Sequence, residues 1–488
     1  MLNQHPNIVF IVADQWRKQS AGFWSKEPYR SAIHDAGDPV HTPNLDRLAD
    51  QSVVLTQAIS TFPLCSPYRG MMLSGKLPHR NGVILNCNDQ RPASQLREDV
   101  ICVSDVLQEA GYSLGYIGKL HTDYPTPNLP GKKYATPPLA SGRIWDAYTP
   151  PGPKRHGFDY WYSYGTFDQH FNPHYWDTTG RYHEPHEWSP DHDAKMAESY
   201  IQNKKGQRKE GAPFGLWVSI NPPHHPYDQC KPEDLVPYQG ASWEELAVRL
   251  NVDQSNDVMR NQIKNYFALV TGVDRAIGRV LNAIEEAGLA ENTIVIVTSD
   301  HGEHMGSQNL TAKNYPYAES QDVPFLVRCP GRIAPRTDDL LIGTCDIMPT
   351  LLGLAGLDSM IPDDLDGSDY AELLRDIPSA VQRPESVFFF RNINAPVDSN
   401  GKVHDFITDF IGVKTSAHSF WISRKVKNWA EVGLYDIVND PYQLNNLAET
   451  DPVLRAEMVE KLRAAIPVRF PIEKLHPEVA ARLNAAGE

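Results

Sequence analysis

Two predicted strands end in side chains that could together bind a metal ion. The first strand runs into Asp14 and Gln15, and a later strand runs into Asp300 and His301. Either acid alone could simply cap the helix that follows it. Together the four residues offer two carboxylates, an amide carbonyl and an imidazole, and hard oxygen ligands with one nitrogen suit Ca²⁺ or Mg²⁺ better than zinc. The pattern indicates a divalent-cation site.

A third segment, residues 64–75, combines a thiol and a guanidinium at short spacing. Cys65 and Arg69 lie four residues apart with Pro67 between them, just before an apolar run that ends in glycine. One interpretation is a core thiol at a turn, because free cysteine is commonly buried. The other interpretation is a nucleophile segment, and the spacing alone does not decide between them.

Lysine and histidine side chains follow two further predicted strands. Lys119 and His121 come directly after strand 113–118, and His224 comes after strand 215–221. Such loop residues are commonly solvated and without chemistry. Their position at strand ends is nevertheless where open α/β sheets place their sites.

These segments resemble, in order, the motifs of the formylglycine-dependent sulfatases of the alkaline phosphatase superfamily. The chain carries Cys-x-Pro-x-Arg at 65–69, Gly-Lys-x-His at 118–121, Pro-His-x-Pro at 223–226 and Asp-His-Gly at 300–302. The resemblance extends over nearly the whole chain. It implies that Cys65 is oxidised to formylglycine by a formylglycine-generating enzyme, and that the hydrated aldehyde is the nucleophile.

The resemblance also implies a role for each polar residue. Lys119 touches formylglycine and sulfate, His121 deprotonates the remaining hydroxyl, and His224 is the substrate histidine. Lys313 corresponds to a lysine that binds sulfate and aids departure of the leaving group. The implied catalytic residues are Cys65, Arg69, Lys119, His121, His224 and Lys313. The implied metal ligands are Asp14, Gln15, Cys65, Asp300 and His301.

Two residues depart from the family pattern. Gln15 stands where a second aspartate is more common, which removes one negative charge from the metal shell and leaves Ca²⁺ favoured but Mg²⁺ open. Tyr68 stands where serine or alanine is usual. The positions thought to be read by the modifying enzyme, Cys65, Pro67 and Arg69, are intact.

Three further residues are candidates for binding the substrate. Asn86 could touch the sulfate, although an ordinary turn asparagine is an equal alternative. Residues 124–190 are rich in Pro, Gly, His, Tyr and Trp with little periodicity, which predicts an ordered insertion over the active-site face. His170 and His174 in this insertion could hold a sugar ring, with loop packing as the alternative.

The remaining pattern predicts the fold class. Continuous apolar runs such as 7–14 and 293–300 are typical of strands buried on both faces of a parallel sheet. The longest periodic segment, 257–288, predicts a helix that covers the sheet. We therefore expect an α/β fold with a large mixed, mostly parallel sheet flanked by helices, similar to alkaline phosphatase and the sulfatases.

The pattern changes near the carboxyl terminus. After Gly367 the predicted strands are short and are followed by a helix near 452–466, which indicates a small antiparallel sheet with one helix. The predicted domains are a catalytic α/β unit over 1–370 and an α+β subdomain over 371–488.

Composition limits the partners and the compartment. The 488 residues carry a formal net charge of −15, which argues against nucleic acid but allows a short anionic substrate in a local cationic pocket. The six cysteines include no Cys-x-x-Cys pair. Neither a leader pattern nor a membrane-spanning run is visible, so the sequence as given predicts a cytoplasmic protein, or a periplasmic or secreted one if a leader was removed. A homo-oligomer remains open.

Three functions are compatible with these residues. The first is hydrolysis of a sulfate ester on a sulfated sugar, with glycosaminoglycan and algal fragments both open. The second is phosphonate monoester or phosphodiester hydrolysis by a relative in the same superfamily, which the Lys-x-His pair disfavours. The third, in another class, is binding of a sulfated sugar without catalysis.

Overall fold

The computed structural model describes residues 5–129, 131, 133–139, 141–253, 255 and 257–485. The strands of its large sheet are β1 (Asn7–Asp14), β2 (Val53–Ala58), β3 (Ser113–Lys119), β4 (Tyr160–Tyr164), β5 (Tyr175–Asp177), β6 (Tyr182–His183), β7 (Phe214–Pro223), β8 (Thr293–Ser299), β9 (Phe325–Arg328) and β10 (Arg336–Ile342). They are ordered β10-β2-β9-β8-β1-β7-β3-β4-β5-β6. Because β1 is parallel to β7 and β8, and β3 is parallel to β7, the carboxyl ends of these four strands meet at one edge.

The centre of the sheet is apolar because its strands are covered on both faces. Every residue of β1 is buried, and its neighbours β7 and β8 are buried throughout. Such strands cannot alternate polar and apolar residues, since neither face meets water. Their polar side chains are instead concentrated at the carboxyl ends, where Asp14 ends β1 and Lys119 ends β3.

Helices cover both faces of the sheet. They are α1 (Pro43–Ala49), α2 (Cys65–Ser74), α3 (Pro78–Asn81), α4 (Val103–Glu109), α5 (Ser189–Ile201), α6 (Pro232–Leu235), α7 (Trp243–Leu246), α8 (Asp257–Glu286), α9 (Ala318–Gln321), α10 (Ile347–Leu354) and α11 (Ala371–Leu374). Short 3₁₀ helices lie at Gly22–Ser25, Arg30–Ala32, Pro153–Arg155, Val236–Tyr238, Ala290–Asn292, Thr344–Asp346, Asp358–Met360 and Ile472–Lys474. The predicted covering helix is α8, whose apolar side chains Ile263, Phe267, Val270, Val273 and Ile277 are fully buried against the sheet.

The aromatic insertion predicted over residues 124–190 contributes strands as well as loops. Strands β4, β5 and β6 extend the large sheet beyond β3, with β4 parallel to β3 and the next two antiparallel. Rings such as Tyr162 and Tyr175 stack with centroids 4.6 Å apart. These strands are two to five residues long, which is too short for a reliable alternation in the sequence.

A second, smaller sheet follows near the carboxyl terminus. Its strands are β11 (Ser386–Asn394), β12 (Phe406–Thr415), β13 (His418–Ser423) and β14 (Val432–Asp436), paired antiparallel in that order. Helices α12 (Pro452–Ala465) and α13 (Pro477–Ala485) pack on it through Met458, Leu462 and Val479. The two sheets and their flanking helices confirm the predicted fold class.

Two further observations bear on the predicted organisation. Ala371 and Leu374 of α11 are buried in the same core as Ile8 and Phe10 of the large sheet. The boundary at residue 370 remains a prediction. Among the described residues, no helix combines the length and apolarity needed to cross a bilayer.

Candidate active site

Polar side chains from separate strands converge at the carboxyl edge of the large sheet. Asp14 ends β1, Lys119 ends β3, Asn221 lies in β7 and Asp300 follows β8 directly. Helix α2 begins at Cys65, and both Cys65 and Arg69 of this helix reach the same edge through their contacts. Neighbouring parallel strands make this convergence unavoidable, because all their carboxyl ends point the same way.

Four potential metal ligands meet in a fully buried cluster. The ligand atoms of Asp14, Cys65, Asp300 and His301 all lie within 4.8 Å of one another. His301 Nε2 is 3.2 Å from Cys65 Sγ and 3.5 Å from one carboxylate oxygen of each aspartate. Buried carboxylates without a counter-charge are costly. Two carboxylates, an imidazole and residue 65 therefore form a donor set that fits a divalent cation such as Ca²⁺ or Mg²⁺.

The cations around this cluster compensate one carboxylate better than the other. Lys119 Nζ lies 2.7 Å from Asp14, and Arg69 Nη2 lies 3.3 Å from Asp14 and 3.2 Å from Asp300. Burial opposes ionisation of Asp14, but the positive charge of Lys119, with that of Arg69, holds its pKa well below the usual range. Burial and then the charge of Asp14 raise the pKa of Asp300. The second carboxylate is thus the one that a bound cation would stabilise most.

The structure gives the side chain of Gln15 partners other than those of a metal ligand. Its Nε2 donates to Tyr227 Oη at 2.9 Å and to the carboxylate of Glu303, while its Oε1 accepts from Lys313 Nζ. A metal-ligand role for Gln15 therefore stays a prediction, while the structure describes its side chain in hydrogen bonds to other protein groups. An amide can donate and accept at once, so Gln15 bridges Glu303 to Lys313, and only its main-chain N–H reaches Asp300, at 3.0 Å.

His121 carries an imidazole nitrogen that is free to accept a proton. Its Nε2 lies 3.2 Å from the Cys87 carbonyl, which can only accept, so Nε2 bears the hydrogen. Its Nδ1 is buried and has no hydrogen-bond partner among the residues described. Burial, followed by the positive charge of Lys119, holds the pKa of His121 well below the usual range. The ring is therefore neutral at neutral pH, with Nδ1 unprotonated.

His224 is fixed from behind by an acid that the sequence did not single out. Its Nδ1 lies 2.8 Å from the His225 carbonyl and 3.3 Å from Asp168 Oδ1. Burial lowers the pKa of His224 to about 3, with the charges of Lys313 and His225 adding to the effect and Asp168 opposing it. Asn221 connects this pair to Lys119, because its Oδ1 accepts from Lys119 Nζ at 3.0 Å and its Nδ2 lies 3.4 Å from Asp168.

A cavity of about 250 Å³ opens onto these groups. It is lined by Cys65, Asn86, Lys119, His121, Thr136, Pro137, Leu139, Trp145, Asp146, Thr166, Phe167, Asp168, His224, His225 and Lys313. Asn86 uses its Oδ1 to accept from Ser66 N at 2.9 Å, which leaves its NH₂ group for a ligand. Eight of the lining residues lie between Thr136 and Asp168, within the segment predicted to be an insertion over this face.

His170 and His174 do not line the cavity, although both were expected to contact substrate. His170 is buried and its Nε2 donates to the His224 carbonyl at 2.9 Å. His174 is buried with its Nε2 2.9 Å from Asp146 Oδ2, between aromatic rings. Both support the cavity wall from behind. The aromatic composition of the insertion predicted a segment that covers the site. Because its sequence has no regular periodicity, it could not show which side chains face the cavity.

Sequence reasoning also missed three residues that this geometry brings together. Asp168 and Trp145 line the cavity from the insertion, and Asn221 joins Lys119 to Asp168. Asn221 carried a usable signal, since it sits at the end of a buried strand immediately before the Pro-Pro-His segment. Asp168 and Trp145 lie outside regular secondary structure, where the sequence does not predict which residues lie next to them in space.

Comparisons with known proteins agree with this geometry. The family model described as Sulfatase matches residues 6–357, and the model described as N-sulphoglucosamine sulphohydrolase, C-terminal, matches residues 306–467. An Endo-4-O-sulfatase of Bacteroides thetaiotaomicron is 47% identical over 468 residues, covering 94% of this chain and 90% of that protein. An Ulvan-active sulfatase of Formosa agariphila is 32% identical over 91% of this chain and 77% of its own length.

A solved structure shows the same likeness in three dimensions. It is described in connection with the metabolism of multiple glycosaminoglycans by Bacteroides thetaiotaomicron, and it superimposes with a TM-score of 0.90. The two chains are 46% identical, with 95% of this chain and 96% of that chain covered. The structure has a buried four-ligand cluster and a cavity lined by two lysines and three histidines, and the family model matches most of the chain. The protein belongs to the sulfatase family, whose members are enzymes that hydrolyse sulfate esters.

Proposed function

We propose that this sulfatase removes a sulfate ester from a sulfated glycan, at position 4 of a sugar within the chain. The observation that carries the proposal is the cavity, which holds two lysines and a buried metal-type cluster at its base and aromatic side chains at its wall. The position of the ester and endo action are taken from the similarity to the Endo-4-O-sulfatase.

The cavity presents positive charge where a sulfate group would lie. Lys119 and Lys313 both line it, in a chain whose overall charge is −15. A sulfate ester is an anion, so attack on sulfur requires that its oxygens be neutralised by groups already in place. Arg69 lies behind them, fully buried, where it holds Asp14 and Asp300 and donates to the Lys119 carbonyl at 2.8 Å.

The two groups that the family implies fit the residues at the base of the cavity. A divalent cation would be held by Asp14, Asp300, His301 and residue 65. Ca²⁺ is the favoured ion because it prefers oxygen ligands, and the bound cation would neutralise negative charge on the sulfate. Residue 65 as formylglycine would supply two hydroxyls on one carbon, the first to attack sulfur and the second to release sulfate. Because burial and Asp14 raise the pKa of the unmodified Cys65 thiol to about 12, a thiolate is not available for this role.

His121 and His224 then have distinct tasks. His121 lines the cavity and its Nδ1 has no partner among the described residues, so we assign it the role of base for the hydroxyl that remains at residue 65. His224 contacts the sulfate or the leaving oxygen, with its ring orientation fixed by Asp168 and the His225 carbonyl. Asp168 does not touch the reacting atoms and acts as a positioning residue.

The decisive experiment measures inorganic sulfate released by the modified protein. We expect release from 4-O-sulfated oligosaccharides, with slower release from 6-O-sulfated isomers and from disaccharides. An aryl phosphodiester serves as the comparison substrate. Faster turnover of the phosphodiester would favour the phosphonate monoester or phosphodiester hydrolase. Binding of every sulfated sugar without release would favour the non-catalytic sugar-binding protein.

The pH dependence of turnover tests the role of His121. Its lowered pKa keeps Nδ1 unprotonated as the pH falls, so the acid limb of kcat is expected below pH 6.5, the ordinary value for histidine. The variant His121→Ala should lower kcat by about 10² to 10⁴ and remove this limb. His404→Gln, which changes an exposed histidine paired with Asp398, is the matched control. An acid limb that His121→Ala leaves in place contradicts the assignment.

Neutralising Asp168 tests the positioning of His224. Asp168→Asn keeps the shape of the side chain but removes the charge that draws the His224 ring, so we expect kcat/KM for a sulfated sugar to fall about tenfold. Asp168→Glu should restore part of the loss, whereas thermal stability should change little in either variant. Equal losses in the asparagine and glutamate variants would show that Asp168 serves only local packing.

A further inference from the structure

The segment that brings Lys313 into the cavity is closed on itself by one buried carboxylate. This segment, residues 303–314, begins at Glu303 directly after the Asp-His-Gly motif and lies outside regular helices and strands. Oε1 of Glu303 accepts from the main-chain N–H of Met305 at 2.9 Å and from that of Ala312 at 2.7 Å. Because Ala312 immediately precedes Lys313, the carboxylate joins the start of the segment to the residue next to the lysine.

The main chain of this segment has a conformation that needs such support. Five of its residues other than glycine have positive φ angles between 45° and 74°, namely Met305, Gln308, Asn309, Ala312 and Asn314. Residues with a side chain rarely adopt this left-handed region, and they stay there only where surrounding contacts hold them. Two of the five flank Lys313. The position of the lysine therefore depends on the contacts that hold its neighbours.

The other carboxylate oxygen of Glu303 reaches the side chain of Lys313 through Gln15. Its Oε2 accepts from Tyr227 Oη at 2.9 Å and from Gln15 Nε2. Gln15 Nε2 also donates to Tyr227 Oη at 2.9 Å, so the hydroxyl hydrogen of Tyr227 is directed to Glu303. The amide oxygen of Gln15 is thereby left to accept from Lys313 Nζ. Glu303 thus determines which end of this amide faces the lysine.

The hydrogen bonds of Glu303 require its ionised form. The side chain is fully buried, and four donors rather than an ion pair with any described residue compensate its charge. An ionised carboxylate offers about four acceptor sites and no donor, which matches this arrangement. Hydrogen bonds to an ionised group are also stronger than those between neutral groups. A neutral side chain of the same shape would therefore disturb the network.

We propose that Glu303 is a positioning residue that holds Lys313 at the sulfate, through the main chain of Ala312 and the amide of Gln15. Glu303 is not among the residues that line the cavity, whereas Lys313 is. Glu303 therefore acts on a bound anion only through the lysine. The proposal rests on the proposed function, since it concerns the sulfate site of the same cavity.

The variant Glu303→Gln tests this role, with inorganic sulfate as the probe and the modified, metal-loaded protein. Glutamine places an NH₂ group where an oxygen now accepts, so two of the four donors lose their acceptor. We expect the Kd for sulfate, measured by titration calorimetry, to become about tenfold weaker. In protein that already carries Lys313→Ala, the same change should weaken sulfate binding less than about twofold, because the residue through which Glu303 acts is gone.

Glu319→Gln is the matched control for loss of a buried glutamate. Glu319 is also buried, but its carboxylate accepts from Arg249 at 2.8 Å and from Asn251 at 2.6 Å, and it does not line the cavity. This variant should lower the unfolding temperature and leave the Kd for sulfate unchanged. An unchanged Kd in Glu303→Gln overturns the proposal. Equal weakening with and without Lys313 also overturns it, since Glu303 would then act on the metal cluster or on packing.

A second variant decides the question if Glu303→Gln does not fold. Tyr227→Phe removes one donor to the same carboxylate and leaves Gln15 Nε2 its bond to Glu303. The Kd for sulfate should become about threefold weaker, and no further loss should occur in the Lys313→Ala background. Losses that add in the two backgrounds would contradict the role of the network.

The sulfate measurements separate this proposal from the proposed function. For sulfated oligosaccharides, kcat/KM should fall in Glu303→Gln by about the same tenfold factor as the affinity for sulfate. If no sulfated sugar is hydrolysed but the affinities depend on Lys313 as described, the proposed function fails and the positioning role stands. If sulfate is released and the effects of the Glu303 and Lys313 variants add, the positioning role fails and the proposed function stands.

Discussion

Replacing Cys65 by alanine is expected to abolish sulfate release, with a loss on the order of 10⁴-fold or more. The side chain of residue 65 is the part of the cavity that faces His301 at 3.2 Å and Asp14 at 3.7 Å. Burial and the charge of Asp14 raise the pKa of its thiol to about 12, so the unmodified side chain stays protonated and is a poor nucleophile. We therefore propose, as the family implies, that turnover depends on conversion of this residue to formylglycine, whose second hydroxyl gives the sulfate a route of release that a thiol lacks.

Two comparisons make this prediction specific. Protein expressed without the modifying enzyme should be as inactive as Cys65→Ala, although its sequence is unchanged. Cys230→Ala removes a partly buried thiol that does not line the cavity and should keep full activity. Across preparations, the rate of sulfate release should be proportional to the fraction of protein in which residue 65 is the aldehyde, as measured by mass spectrometry of the peptide that contains it. Normal rates from protein with only the thiol would refute the mechanism.

The sequence predicted the parts of the site that strand ends determine. Asp14, Lys119 and Asp300 were placed correctly at one edge, because buried parallel strands leave continuous apolar runs that end in polar residues. Once the parallel strands are recognised, the place of each strand in the sheet is not needed to predict that their polar ends lie at one edge. The carboxyl ends of β1, β3, β7 and β8 coincide whichever neighbour each strand has.

Side chains whose partners come from distant loops could not be predicted in this way. The amide of Gln15 is held by Glu303, Tyr227 and Lys313, which lie 212 to 298 residues away. The spacing of the strand ends placed its main chain but not its side chain. His170 illustrates the same limit, because a histidine in an aromatic loop can face the cavity or the core, and here its Nε2 bonds to a main-chain carbonyl. Only tertiary packing distinguishes these cases.

The negative charges of Asp14 and Asp300 are compensated unequally by nearby cations, and this makes metal binding depend on pH. Lys119 and Arg69 are supplied by β3 and α2, so their positive charges are part of the scaffold. They stabilise ionised Asp14, whereas burial and Asp14 itself raise the pKa of Asp300. In the metal-free protein Asp300 is therefore protonated more readily than Asp14. Protons and a divalent cation compete for its carboxylate.

Removal of the metal is expected to lower turnover by about 10³-fold or more, because the sulfate would lose its main source of charge neutralisation. Metal affinity should also fall as the pH is lowered, since protons compete for Asp300, whose pKa is raised. At a metal concentration about 100 times Kd, binding should stabilise the folded protein by about 2.7 kcal/mol. Chelation, metal analysis and readdition of Ca²⁺ or Mg²⁺ measure these effects.

The variant Asp300→Asn tests the metal site directly. Asparagine resembles the protonated aspartic acid in shape but loses the buried ion pair with Arg69, so the metal-free variant should unfold at a lower temperature than the metal-free parent. It should bind neither cation and release no sulfate. Asp193→Asn is the matched control, because Asp193 is also fully buried, with its pKa raised by burial to about 8, and lies outside the four-ligand cluster. It should retain both metal and activity. Undiminished metal affinity in Asp300→Asn, or full turnover by protein shown to be metal-free, would remove the cation from the mechanism.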